Sequence, residues 1–351
     1  MSSIELTEEQ KNAILFIREN YKKSKFISMG GYAGTGKSTC LKEIAKFFPS
    51  FAICAYTGKA CNVLKRKGVY TAETIHSTIY DVKTDENNDP VFTLKRKNNI
   101  GCGGFIVDES SMVSEEIFDN LLWYSLPIIF IGDHGQLEPI GTDFNLMKNP
   151  DIKLETIHRN ANNIAKFADY LRKGGEAVKY ESPDNTVIIK KKGSIAVDEM
   201  KNSDQIICAY NKTRLSINNF MRKQYKFEDK INPGEKIICL KNNRNLGIFN
   251  GMQVVVESIR GRRLIFRNDL GKKFDILVDS NQFGVEKLLE SANRDSEQGY
   301  FDYAFCITCH KSQGDEWNKI LVLEEKSSIW DHKRWAYTAA SRAREGIIWA
   351  V

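Results

Sequence analysis

The octapeptide Gly31-Tyr32-Ala33-Gly34-Thr35-Gly36-Lys37-Ser38 constrains this chain more than any other stretch, because it fits G-x-x-x-x-G-K-[ST]. Phe26-Ile27-Ser28-Met29 precedes it and reads as a short buried strand. Leu41, Ile44, Ala45 and Phe48 follow at i, i+3, i+4 and i+7, one face of a helix. Strand, glycine loop and helix form a phosphate cradle, in which Gly31, Gly34 and Gly36 let the backbone turn with its N–H groups aimed at anionic oxygens. Ala33, Thr35 and Thr39 complete the loop and the helix start, whose partial positive charge adds to the attraction. Lys37 is placed to reach terminal phosphates, and Ser38 to offer a hydroxyl to Mg²⁺. The motif implies a parallel α/β sheet and a nucleoside triphosphate.

The 351 residues suffice for two core-forming domains with small insertions. With 27% charged and 42% hydrophobic residues the composition is that of a globular protein, and the net charge of +6 permits a polyanionic partner without requiring one. No apolar run approaches membrane-spanning length, and the start lacks a basic-then-apolar leader, so a cytoplasmic location is expected. Cys306-Ile307-Thr308-Cys309-His310 matches the c-type haem attachment pattern, which requires export, and a zinc site would need a second ligand pair. The eight cysteines are therefore expected to be reduced and structural, beside a functional His310.

Along the chain, Leu6-Thr7-Glu8-Glu9-Gln10 opens a helix with Thr7 as N-cap, and the amide of Gln10 has the paired donor and acceptor that an adenine edge needs. Phe51–Tyr56 reads as a second strand, with Thr57-Gly58-Lys59-Ala60 at the end where open parallel sheets place ligands. His76 fits a core histidine or a phosphate contact equally well. Residues 81–100 break the α/β rhythm: either a solvated loop, or a small hairpin whose Phe92 meets a base while Lys95, Arg96 and Lys97 meet phosphates. Phe105-Ile106-Val107-Asp108-Glu109 is an apolar strand ending in two acids; Asp108 would hold Mg²⁺ with Ser38, and Glu109 would orient and deprotonate the attacking water. Pro127–Asp133 is another buried strand leading to Gln136, placed to sense the γ-phosphate or the water, and Arg159 has the chemistry of a phosphate clamp. A second α/β pattern starts at Gln205 and is interrupted over 233–289 by short strands with Asn-Gly and Gly turns, the signature of a small β-barrel. It resumes with Tyr303–Thr308 as one strand, Ile320–Leu323, a helix over Arg334–Arg344, and a final strand from Gly346.

These motifs form an ordered set. With Gly31–Ser38, Asp108-Glu109-Ser110-Ser111-Met112, Gly132-Asp133-His134-Gly135-Gln136-Leu137, His310-Lys311-Ser312-Gln313-Gly314 and Ser341-Arg342-Ala343-Arg344, the chain resembles the RecD-like superfamily 1 DNA helicases, including the short phage enzymes of the Dda type. The resemblance implies an α/β fold of two RecA-like P-loop domains, 1–80 with 101–178 and 179–232 with 290–351. It also implies a strand-splitting hairpin insert at 81–100 and an SH3-like β-barrel insert at 233–289. ATP with Mg²⁺ would lie between the domains, with Arg342 as arginine finger, Arg159 as a second phosphate contact and Gly314 at the nucleotide. Thr57, Lys59, His76, Ser77, Thr308 and His310 map to motifs that track the DNA backbone. The implied partners are single-stranded and forked DNA, with a single-strand-binding or replication protein beside them, and the implied state is a monomer. The sequence departs from the family at Tyr56, where Pro is usual, at Glu138-Pro139, where Pro-Pro is usual, and at Ser341, where Thr is usual.

The expected activity is ATP-driven translocation on single strands, 5′-to-3′ by family pattern, with strand separation. The rival is a translocase or DNA-binding switch that displaces proteins without separating strands, for it would share every ATPase motif. A small-molecule kinase would need neither Arg342 nor the Gln136 strand.

Overall fold

A computed structural model describes residues 6–84, 90–138, 144–157, 163–228, 230–243, 246–268, 271–289 and 298–351. The chain divides into two compact units, with the break after Arg172.

In the first unit α1 (Glu8–Asn20) starts on a capping box, in which Thr7 Oγ1 accepts from Gln10 N and Gln10 Oε1 accepts from Thr7 N. The strands β1 (Phe26–Gly31), β2 (Phe51–Ala55) and β3 (Glu73–Thr74) precede a hairpin of β4 (Tyr80–Thr84) and β5 (Pro90–Leu94), and β6 (Gly104–Asp108), β7 (Ile128–Gly132) and β8 (Ile152–Leu154) follow. Apart from the hairpin they form one parallel sheet in the order β3-β2-β6-β7-β1-β8. Its strands are apolar on both faces because helices cover both. Ile106, Ile129 and Ile131 pack with α1, α2 (Lys37–Phe47) and α3 (Gly58–Arg66). Phe105, Val107, Ile128 and Phe130 pack instead with α4 (Ile75–Ile79) and α5 (Glu115–Trp123). The last helix of this unit is α6 (Asn163–Arg172).

The second unit carries two sheets. One is parallel: β9 (Val187–Lys190) and β10 (Gln205–Cys208) join β17 (Cys306–Thr308), β18 (Trp317–Leu323) and β19 (Ala343–Ala350) in the order β17-β10-β18-β19-β9. The other runs β15-β14-β13-β12-β11-β16, built from β11 (Lys236–Cys239), β12 (Gln253–Arg260), β13 (Arg263–Arg267), β14 (Lys273–Val278), β15 (Gln298–Gly299) and β16 (Phe301–Tyr303). It is antiparallel except at β14–β15, has its own core of Ile237, Val254, Leu264, Phe266, Ile276 and Phe301, and takes two strands from beyond residue 289. Helices α7 (Val197–Lys201), α8 (Asn211–Gln224) and α9 (His332–Ala340) complete this unit.

Two sequence expectations are corrected here. Tyr303–Thr308 is not one strand, because Ala304 and Phe305 carry the chain from the antiparallel sheet to the parallel one. A polar stripe on α8 holds that crossing. Asn218 Nδ2 donates to Tyr303 O (3.1 Å) and Cys306 O (3.0 Å), and Asn218 Oδ1 accepts from Cys306 N. One turn away on either side, Arg214 pairs with buried Asp302 and Arg222 with buried Glu235. The helix expected over Arg334–Arg344 ends at Ala340, since Ala343 already pairs with Trp317 in β19 and sheet pairing overrides the helical propensity of the segment.

Candidate nucleotide site

Register places the acidic and glycine-rich ends of four strands together. Gly30 lies beside Gly132, Ala55 beside Asp108, and Val107 beside Phe130, so the loops after β1, β2, β6 and β7 leave the same edge of the sheet. The loop after β1 turns through left-handed Gly34 and Gly36, both at φ 82°, and enters α2 at Lys37. Gly31 leaves the loop room to close: a Cβ there would stand 2.7 Å from Thr35 Oγ1 and 2.9 Å from Lys37 Cγ.

Within this loop Lys37 Nζ donates to Gly31 O (2.6 Å) and Tyr32 O (3.0 Å) and lies 3.4 Å from Asp133 Oδ2. Those are exchangeable partners, two neutral carbonyls and one long ion pair, that phosphate oxygens would replace. Asp133 is buried and accepts from Gly135 N, which shapes the turn toward buried Gln136. Asp108 ends β6, and Glu109 follows at φ 52°, ψ 39°. A non-glycine residue in the left-handed region stores strain, a feature that gathers at functional sites. Ser110 Oγ, donating to Ile131 O, ties this turn to β7.

Gln10, expected at an adenine edge, is 3% exposed and has protein partners for both ends of its amide. Its Nε2 donates to Thr35 O (3.0 Å) while its Oε1 completes the helix cap, so it braces the phosphate loop. Tyr32 of that loop packs against His134 at a tilt of 45°, with ring centroids 4.0 Å apart, and carries the Arg172 guanidinium at 3.7 Å. Burial raises the pKa of Tyr32 and lowers that of His134. Local sequence signals give no role to Asp133, Tyr32, His134 or Arg172; the first three lie within the Gly31–Ser38 and Gly132–Leu137 motifs, whereas Arg172 has no local signal.

Ser38 Oγ accepts from Lys67 Nζ at 3.2 Å, so a cation already stands at the hydroxyl expected to meet Mg²⁺. A hydroxyl and the Asp108 carboxylate are the hard oxygen donors that Mg²⁺ takes, and the residues fit that ion. Arg159 lies outside the described residues, as do Pro139 and the side chain of Lys59.

The other candidates are distributed as follows. Thr57 Oγ1 caps α3 by accepting from Ala60 N, and Ser77 sits in the first turn of α4, where Thr74 is the cap. His76 is half-buried among aromatic rings: Tyr80 at 5.5 Å, and Tyr56 and Phe92 at 6.4 Å. Phe92 is 45% exposed on β5. The hairpin is rooted below it, where Tyr124 Oη lies 2.8 Å from Ile79 O and 3.0 Å from Lys95 O, and Lys95 Nζ donates to Ser77 O.

In the second unit Arg342 is buried. Its Nε donates to Thr338 O, its Nη1 to Asp315 O and its Nη2 to Ser341 Oγ, so Ser341 takes an orienting role at its departure from the family pattern. Gly314 adopts φ 78° in the turn before Asp315. Thr308 ends β17, and burial lowers the pKa of His310 just after it. Cys306 and Cys309 are buried free thiols, and burial pushes Cys309 up to about 12. Among the described residues no helix is long and apolar enough to cross a membrane.

Residues 5–195 match the AAA domain family and residues 303–348 the UvrD-like helicase C-terminal domain. The ATP-dependent RecD2 DNA helicase of Deinococcus radiodurans is 27% identical over 376 residues, covering 97% of this chain and 48% of that protein. The chain thus spans about half the length of that relative, and 32% of a probable conjugal transfer protein TraA from Sinorhizobium fredii. The fold is similar to Pif1 helicase from Bacteroides bound to single-stranded DNA, with TM-score 0.66, 19% identity and coverage of 99% of this chain and 93% of that one. The chain belongs to the AAA domain family.

Proposed function

We propose that this chain is an ATP-dependent DNA helicase that moves 5′-to-3′ on single-stranded DNA and separates duplex at a fork. The observation that carries this reading is a rooted hairpin with an exposed aromatic, Phe92, in the same unit as the glycine loop that holds Lys37. Support comes from the resemblance to RecD2, an ATP-dependent DNA helicase, and to Pif1 chains described with single-stranded DNA and with forked duplex DNA.

On this reading Lys37 leaves the carbonyls of Gly31 and Tyr32 and takes the terminal phosphates. Ser38 and Asp108 would hold Mg²⁺, which when bound offsets phosphate charge. Glu109 accepts the proton of the attacking water and Gln136 orients it; Arg342 is the arginine finger, and Arg159 a further phosphate contact. Thr57, Lys59, His76, Ser77, Thr308 and His310 grip the DNA backbone, so binding and ATPase weaken with salt. The hairpin at 81–100 is the strand-separating pin, and strands β11 to β14, within 233–289, form the SH3-like insert of a RecA-like second domain, which β15 and β16 extend. The protein acts as a monomer, alongside a single-strand-binding or replication protein.

Duplexes with 5′ or 3′ single-stranded tails test this. The wild type is expected to unwind the 5′-tailed duplex, and Phe92→Ala to keep DNA-stimulated ATP hydrolysis while losing unwinding. No unwinding by wild type despite DNA-stimulated hydrolysis would leave the protein-displacing translocase, and hydrolysis indifferent to DNA would overturn both.

A further inference from the structure

Lys67 lies at the C-cap of α3, at the end of the basic run Lys65-Arg66-Lys67, and its ammonium reaches back to Ser38 in the first turn of α2. The 3.2 Å hydrogen bond makes Ser38 Oγ an acceptor for a cation. Ser38 is the residue whose hydroxyl the phosphate-loop reading gives to magnesium, and the inference rests on that reading. A divalent ion and an ammonium on one oxygen repel each other, so both do not hold it together.

The geometry points to Lys67 as a cation that competes with magnesium for Ser38: its ammonium holds the hydroxyl that the metal would take and must withdraw for the metal to bind there. Half-buried at a helix end, with a flexible stem, it has room to withdraw. Lys67 is therefore a positioning residue that sets how much magnesium the nucleotide site demands, through competition for Ser38.

The test is calorimetric titration of the full chain with ADP, in chelator and at graded MgCl₂, for wild type, Lys67→Met and Lys67→Arg. Lys67→Met keeps the stem and removes the charge. Its half-effective magnesium concentration for tightening ADP is expected to fall about five-fold, the factor released when a competing state populated near four-fifths is removed. Lys67→Arg, which keeps a cation, is expected to stay near wild type. An unchanged magnesium midpoint in Lys67→Met overturns the inference. So does an equal loss of ADP affinity at every magnesium concentration, which would make Lys67 a phosphate ligand. If wild type fails to bind ADP, the nucleotide reading itself fails, an outcome separate from a shifted or unshifted midpoint. Thermal melting confirms that each variant is folded.

Discussion

The guanidinium of Arg172 lies 3.7 Å from the centre of the Tyr32 ring, so the last residue of α6 holds the second residue of the phosphate loop. Asp169 fixes the guanidinium from one turn earlier, and His134 packs on Tyr32 at 4.0 Å. Gly30 permits this, since a Cβ there would stand 2.7 Å from His134 Nδ1. Loop, post-β7 turn and terminal helix are thereby joined through one tyrosine.

Arg172→Ala is expected to destabilise the first unit by about 1–2 kcal/mol, the range for a partly desolvated cation–π contact. ADP affinity should fall with it, by several-fold, because the loop loses a support. Urea denaturation and ADP titration read the two effects; lost stability with unchanged affinity would make the contact purely structural.

Gln10→Ala removes a buried donor and leaves Thr35 O without that partner, at a cost of about 1–3 kcal/mol. If Gln10 acts as a brace, ATP and GTP hydrolysis decline in parallel. If it reads adenine, the loss is confined to ATP and the ratio of the two rates shifts toward one. Steady-state kcat/KM with each nucleotide decides between them.

Glu109 has φ 52°, a conformation that asparagine adopts more readily than glutamate. Glu109→Asn is expected to abolish hydrolysis yet leave stability equal or raised by up to about 1 kcal/mol. A lowered melting temperature would show that Glu109 makes stabilising contacts that outweigh its backbone strain.

His134 has its pKa lowered by burial, so folding favours the neutral ring. Its contribution is intact above the unfolded value near 6.5 and is lost as pH falls through 6.5 toward the lower folded value. His134→Phe, which keeps a ring against Tyr32, should flatten the decline of first-unit stability between pH 7 and pH 5.5. Parallel pH–stability curves for the two proteins would sink the assignment.

Arg214→Met leaves Asp302, 1% exposed, without its cation in the second unit. The expected cost is about 3–5 kcal/mol, as for other broken buried pairs. Asp302 also accepts from Gly284 N and Tyr303 N, so its own removal should cost no less. Denaturation followed by the fluorescence of Trp335 and Trp349, both in this unit, measures either change.

The elements that were legible in the sequence are those whose signal is local. The strand–loop–helix around Lys37 depends on a glycine pattern and a helical apolar face within about twenty residues, and it is where the motif placed it. Strands β11 to β14 of the antiparallel sheet were equally readable, because turn residues at Asn250-Gly251 and Gly271 separate β11 from β12 and β13 from β14; β15 and β16 were not. Tertiary structure alone decided what depends on distant partners. It broke Tyr303–Thr308 between two sheets, since the backbone groups there are claimed by β11 on one side and β10 on the other. It ended α9 at Ala340, since β18 was available to pair with Ala343. It also turned Gln10 inward to Thr35 and brought Arg172, Tyr32 and His134 into one cluster. Short-range periodicity records which face of an element is buried; it carries no record of which side chain, a hundred residues away, arrives to cover it.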